Sequence, residues 1–297
     1  MLLIVGLAIV LASVIGGYLL AGGDLLVLNQ PSAFVVIGGA AIGCLMASTP
    51  KTVLLGAIAQ IKSVVAGGGI AQEDYVDLLA MLYRIFKQVQ QGGVMSLEPH
   101  FENPGTSPLL ANYPKFLARH QAVDFLADSV KVIIVGGIAP HDLDALLDED
   151  LRVHHEESLR PAAALNKIGD ALPGLGIVAA VLGVVITMGH IDGPASEVGH
   201  HIGAALVGTF LGILLSYGFV QPIAGALEQR VAEDGNYCVC IKAGLLAVYK
   251  GNPPAIAVEF ARRALPHSVR PSFNDTEQFC RAATTAAASA AKEAQAA

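Results

Sequence analysis

The stretch GDALPGLGIVAAVLGVVITMGH, residues 169–190, decides how this chain folds. From Ile168 to His190 the only Asp, Glu, Lys or Arg is Asp170, near the start. A helix crossing a hydrocarbon core needs roughly 20 predominantly apolar residues, and this stretch supplies them. The same pattern recurs outward along the chain. Ile202 to Phe219, Pro31 to Ser48 and Met1 to Ala21 carry no Asp, Glu, Lys or Arg. Four spans are therefore predicted, at about 1–21, 31–49, 171–190 and 201–221. The first is no signal peptide by its pattern, since it lacks a positively charged start and an A-x-A-like cleavage site.

Composition agrees with the spans. The 297 residues are 54% hydrophobic and only 14% charged, where soluble domains carry about 25% charged residues. A net charge of -7 without any lysine-rich run argues against a nucleic-acid binder. Four cysteines make neither a disulfide scaffold nor a zinc site, and they are expected to be reduced thiols. All 18 Lys and Arg fall between Lys51 and Lys167 or between Arg230 and Lys292. The links 22–30 and 191–200 hold none. Basic residues accumulate on the cytoplasmic side, so both termini and the long central section are expected there.

The four segments that follow are spans 1–50, a helical cytoplasmic domain 51–167, spans 168–222 and C-terminal helices 223–297. Within the central section, Glu73 to Gln91 has helical spacing that Gly92 and Gly93 stop. Phe101 to Pro114, broken by Pro104, Pro108 and Pro114, reads as a loop. Helical spacing returns from Phe116 to Val135, with Asp124 and Asp128 on one face and Gly136-Gly137 as the stop. His141 to Arg160 reads as a charged helix running towards the third span. Ala224 to Ala247 and Pro254 to Leu265 read as two more helices, and the alanine-rich end after Arg281 is expected to fray.

The spans are informative for what they lack. No ionisable side chain stands at the middle of any of them. A chain that carried ions alone would keep one there. Asp170 lies too near the cytoplasmic edge, and Thr187, Thr209, Ser216 and Tyr217 offer only hydroxyls. Any carboxylate carrier must then come from another subunit. Small residues, Gly174, Gly176 and Gly183 on one span and Gly208 and Gly212 on the next, suit close helix packing. Pro173 and Pro222 lie at the same membrane face, and each can be read as an ordinary helix start or stop. Enzyme readings find little support. The pairs His154-His155 and His200-His201 fall on opposite sides of the membrane, and no P-loop, dinucleotide fingerprint or nucleophile elbow is present. Gly67-Gly68-Gly69 lacks the Lys-Ser/Thr of a phosphate loop.

Several separated phrases carry a resemblance: LYR at 82–84, MSLEPHFENPGTS at 95–107, YP at 113–114, GDALPGLGIVAAVLGVV at 169–185, GTFLGILLSYGF at 208–219 and NPPAIAVEFARRAL at 252–265. In these the chain resembles the MotA family of flagellar motor stator subunits, across all but the alanine-rich tail. The resemblance implies an all-α membrane protein, four spans with a helical cytoplasmic domain, sited in the bacterial inner membrane. It implies a pentamer around a dimer of MotB-like single-span subunits that bring the ion-binding aspartate. It also implies that proton passage is coupled to torque on the rotor through the switch protein FliG. The family's functional prolines match Pro173 and Pro222, the threonine of its ion path matches Thr209, and Ala180 occupies the neighbouring position. Its acidic rotor-facing residue matches Glu98.

The departures are specific. Where proton-type relatives have an arginine eight residues before the glutamate, this chain has Gln90, leaving Arg84 or Lys87 to supply positive charge. Sodium-type relatives commonly have a threonine at the position of Ala180. Alanine removes an oxygen ligand from a dehydrated Na⁺, whereas a proton needs only a carboxylate and water, so the expected ion is H⁺. Two other readings stay open on the same residues. One is a TolQ/ExbB-like channel subunit energising envelope processes, of a type that has three spans. The other is a non-conducting membrane scaffold.

Overall fold

A computed structural model describes residues 2–67 and 69–282. The expectation of a fraying alanine-rich end concerns residues that lie beyond this range. Every regular element among the described residues is a helix, and the chain divides into two compact units. The first unit comprises residues 1–68 and 157–231, the second 69–156 and 232–297.

The first unit holds the spans. Helix α1 (Leu2–Leu20) is apolar all round and buries none of its residues, as expected of a helix whose surroundings are lipid or another subunit. The short α2 (Leu25–Leu28) is capped by the Asp24 carboxylate, which accepts from the Leu26 amide. Helix α3 (Pro31–Ser48) starts on a proline and buries Ala33, Ile37 and Ala41, one stripe at a spacing of four. That stripe packs with Leu172 and Ala179 of α9 (Pro140–Met188) and Val207 and Leu211 of α10 (Ala195–Leu215). Helix α4 (Lys51–Val65) meets α9 where Gln60 Nε2 donates to the Ser158 carbonyl. Four helical stretches are long and apolar enough to cross a membrane: Leu2–Leu20, Leu25–Ser48, Pro140–Met188 and Ala195–Tyr249. The all-α class and the number of candidate spans are thereby borne out.

The prolines behave differently from a simple start and stop. Pro161 and Pro173 both lie inside α9, which continues as a helix past each while the backbone hydrogen-bond ladder is broken there. Pro222 follows a π-helical turn, Ser216–Val220, and the chain stays helical through α11 (Gln221–Tyr249). A proline has no N–H and its ring crowds the carbonyl four residues earlier. A wider turn of the π type removes that crowding, which is the physical reason for one at this place.

The second unit is a water-soluble type of core. Helix α5 (Gln72–Gly92) buries Leu78, Leu82, Ile85 and Phe86 against Leu126 and Val130 of α8 (His120–Val135). Leu143 and Leu147 of α9 and Ile241 and Leu245 of α11 join them, as do Ala257 and Ala261 of the last long helix. Glycines end these helices as the sequence predicts: Gly93, Gly136 and Gly137 have φ of +72°, +75° and +78°, a region costly for any residue with a Cβ.

Ion pairs tie the layers together. Asp74 accepts from the Ala71 amide at 3.0 Å and pairs with Lys115 at 2.9 Å and Arg119 at 3.3 Å. Burial alone would raise this carboxyl, but Lys115, the Ala71 amide and Arg119 together hold it below the ordinary carboxylate range. Arg119 also reaches Asp234 at 3.4 Å and lies over the Tyr237 ring. Lys242 bridges Asp144 and Asp148 at 2.5 and 2.6 Å.

Candidate functional site

Helices α9 and α10 cross where their side chains are smallest. A β-carbon on Gly176 would lie 2.8 Å from the Gly208 carbonyl oxygen and 3.3 Å from the Thr209 α-carbon. One on Gly208 would lie 3.1 Å from the Ala180 nitrogen, and one on Gly212 2.6 Å from the Leu172 oxygen. The two backbones are in contact, so Gly176 and Gly212 leave no room for a side chain and Gly208 leaves little. Gly183 completes the seam against Ala205. Gly174, by contrast, faces open space. At this crossing Ala180 stands beside Gly208 and Thr209 beside Gly176, both half-buried. Thr187 spends its hydroxyl on its own helix, donating to the Gly183 carbonyl at 2.8 Å.

One turn away, α9 is joined to the π-turn and the start of α11. Ser216 Oγ donates to the Gly169 carbonyl at 2.6 Å, and Gln221 Nε2 donates to Asp170 Oδ1 at 3.0 Å. A β-carbon on Gly169 would lie 3.0 Å from Gln221 Cγ. Pro173 lies three residues beyond Asp170, and Pro222 directly follows Gln221. Both proline breaks therefore stand at one interhelical contact. Asp170 is exposed and engaged by Gln221, at the end of the span. Outside the crossing, α9 presents Val178, Val181, Val185 and Ile186, an exposed apolar face that a partner helix or lipid can cover.

The second unit positions the other predicted residues. Gly93 turns the chain sharply at the end of α5, and Gln88 and Ser96 fasten the returning strand of backbone. Gln88 Nε2 donates to the Ser96 carbonyl at 2.8 Å, while Ser96 Oγ donates to the Gly93 carbonyl at 2.6 Å. Leu97, just before the short α6 (Glu98–Glu102), and Phe101 within it are both buried. Glu98 is thus held outward, exposed, beside the end of α5 where Gln90 is also exposed. Arg84 and Lys87 are less available. The Arg84 guanidinium lies 5.8 Å from the centre of the Tyr113 ring and the Lys87 ammonium 5.5 Å from that of Tyr83, both half-buried.

The sequence reading missed Ser216 as anything more than a hydroxyl. Its signal is present but indirect: a serine six residues before one proline, and a glycine four before the other. The histidines give nothing comparable. His190 and His201 stack with ring centres 5.3 Å apart. Among the described residues no three His, Cys, Asp or Glu side chains gather as a metal site.

Comparison with known proteins covers nearly the whole chain. A family model described as Motility protein A N-terminal matches residues 4–93. One described as the MotA/TolQ/ExbB proton channel family matches residues 118–237. Motility protein A of Escherichia coli is 43% identical over 282 residues, 95% of this chain and 96% of that protein. Chemotaxis protein LafT of Vibrio parahaemolyticus is 34% identical over 92% of this chain and 96% of its own length. In fold, the chain matches the structure of C. jejuni MotAB with a TM-score of 0.73 at 20% identity, over 89% of this chain and 95% of that one. It matches the flagellar MotAB stator complex from Bacillus subtilis with a TM-score of 0.69 at 21% identity, over 90% and 96%.

Proposed function

The chain belongs to the motility protein A family, within the MotA/TolQ/ExbB proton channel family, and from that premise we propose that it is a proton-channel stator subunit of the bacterial flagellar motor. It is a multi-pass protein of the inner membrane, and no enzymatic step is needed to describe what it does. The observation that carries the reading is the division of labour it implies. Four spans contain no ionisable group at their centres, so the proton carrier is a carboxylate on a MotB-like single-span partner. A charge in that position is costly unless it serves transport. Ala180 and Thr209 line the path beside it, the alanine leaving a dehydrated Na⁺ short of an oxygen.

Proton movement on the partner's aspartate then alters how its helix packs against this chain. Pro173 and Pro222 are where the helices yield, because each lacks the N–H that would stiffen its turn. The change passes to the second unit along α9 and α11, each of which has residues in both units. Both termini and the second unit stand on the cytoplasmic side, where Glu98 meets the rotor switch protein FliG. With Gln90 neutral, the positive half of that contact is left to Arg84 or Lys87, each of which would have to reach the rotor from its half-buried place beside a tyrosine ring. Five copies surround two partner subunits, and the ring turns as protons pass.

Substitution tests this directly. Pro173→Ala and Pro222→Ala should insert and assemble normally with the partner yet abolish or strongly reduce swimming. Glu98→Lys should weaken motility, with partial recovery from an opposite charge change on the rotor. Full motility in both proline variants would remove them from the coupling step, and indifference to the charge reversal would remove Glu98 from the rotor contact.

A further inference from the structure

The missing amide of Pro173 has a consequence for one atom. In a regular helix the N–H of residue 173 would donate to the carbonyl of residue 169. With proline there, the Gly169 carbonyl loses its helical partner, and Gly169 is buried. A buried carbonyl without a donor is costly, and more so where water is scarce. The neighbouring helix meets this need. Ser216, fully buried, donates its hydroxyl to that same oxygen at 2.6 Å.

A serine in an apolar helix commonly turns its hydroxyl back to its own chain, four residues earlier. For Ser216 that acceptor would be Gly212. The observed geometry is different: the hydroxyl crosses to α9, a sequence separation of 47 residues. Ser216 is also the first residue of the π-turn that accommodates Pro222, and its own carbonyl accepts the Gln221 amide. One residue thus has its side chain in the break made by Pro173 and its backbone in the turn made by Pro222. The adjacent Gln221–Asp170 bond reinforces the same contact.

We infer that Ser216 is the positioning residue that couples the two proline breaks, a hydrogen-bonded clasp holding the α9 break against the π-turn. The role rests on the reading of both prolines as points of yield. Opening one break without the other would strand the Gly169 carbonyl, so the clasp makes the two move as one.

The test is a double-substitution cycle in the full chain, purified with its single-span partner, read by thermal unfolding. Ser216→Ala should lower the midpoint by several degrees. Pro173→Ala restores an amide that can donate to Gly169, so adding Ser216→Ala in that background should change the midpoint little. Ser216→Cys, similar in size but a weak donor, should fall between serine and alanine. Equal losses in both backgrounds would mean that Ser216 only fills space, and no loss in either would mean that the bond is immaterial; both overturn the clasp. The cycle reads stability and not swimming, so its result is separable from the motor assignment. A non-additive cycle in a chain that supports no motility would sink the assignment and leave the clasp. An additive cycle in a motile chain would do the reverse.

Discussion

At the α9–α10 crossing, Gly176, Gly208 and Gly212 let backbone meet backbone. In the second unit Phe86, Leu126 and their neighbours fill the space between helices with bulk. The difference follows from the solvent each unit meets. Between spans, lipid is as apolar as leucine, so large side chains gain nothing by leaving it, and close van der Waals approach decides packing. In water, each buried apolar group is favoured by roughly 25 cal/mol per Å² removed from solvent. The first unit is therefore sensitive to added atoms, and the second to lost ones.

That contrast can be broken at its strongest point by Gly212→Leu. Its β-carbon would lie 2.6 Å from a backbone oxygen that cannot turn aside. The expected outcome is failure of the span pair to assemble, read as loss of partner co-purification. Gly174→Leu, facing open space on the same helix as Gly176, should assemble; equal damage from both would refute the seam. The reverse experiment in the second unit is smaller. Phe86→Ala, at a position 1% exposed, should cost about 3–5 kcal/mol in unfolding experiments, while its effect on partner co-purification should be secondary.

The smallest expected effect sharpens the electrostatic side of the comparison. Helix α12 (Pro254–Arg263) carries Glu259, bonded to Arg262 and Arg263 at 2.7 Å. Arg262 foremost, with Arg263, against the opposing effect of burial, holds the carboxyl at about 2 rather than the ordinary 4.5. A depressed folded value stabilises the protein above the unfolded value, and that contribution fades as pH falls from about 4.5 towards about 2. Glu259→Gln should be slightly less stable at neutral pH and show a flatter acid profile in the same interval. Parallel profiles would remove the ion cluster from the account.

How much of this was readable beforehand depends on how local each cause is. The spans follow from uncharged runs of the right length, and the helix ends at Gly93 and Gly136-Gly137 follow from local backbone freedom. The small residues Gly208 and Gly212 announced close packing, though only the structure distinguishes Gly176 from Gly174. The prolines were ambiguous for a physical reason. Whether a proline ends a helix depends on whether something else satisfies the freed carbonyl, and for Pro173 that donor is Ser216 on another helix. The same holds for Arg84, whose half-buried place over Tyr113 depends on a residue 29 positions on, a separation no local pattern reveals. The roles proposed for Glu98, Thr209 and the prolines rest on the resemblance, and no local pattern in the sequence carries them.

The central claim is that this chain, without a carrier of its own, completes a proton channel with a single-span partner and drives rotation. The most direct measurement is swimming in a stator-less strain given this chain alone, its partner alone or both, each with and without sodium. The account predicts swimming only with both, unchanged when sodium is withdrawn. Swimming that stops without sodium would contradict the proton assignment, and no swimming with both subunits assembled in the membrane would contradict the motor function itself.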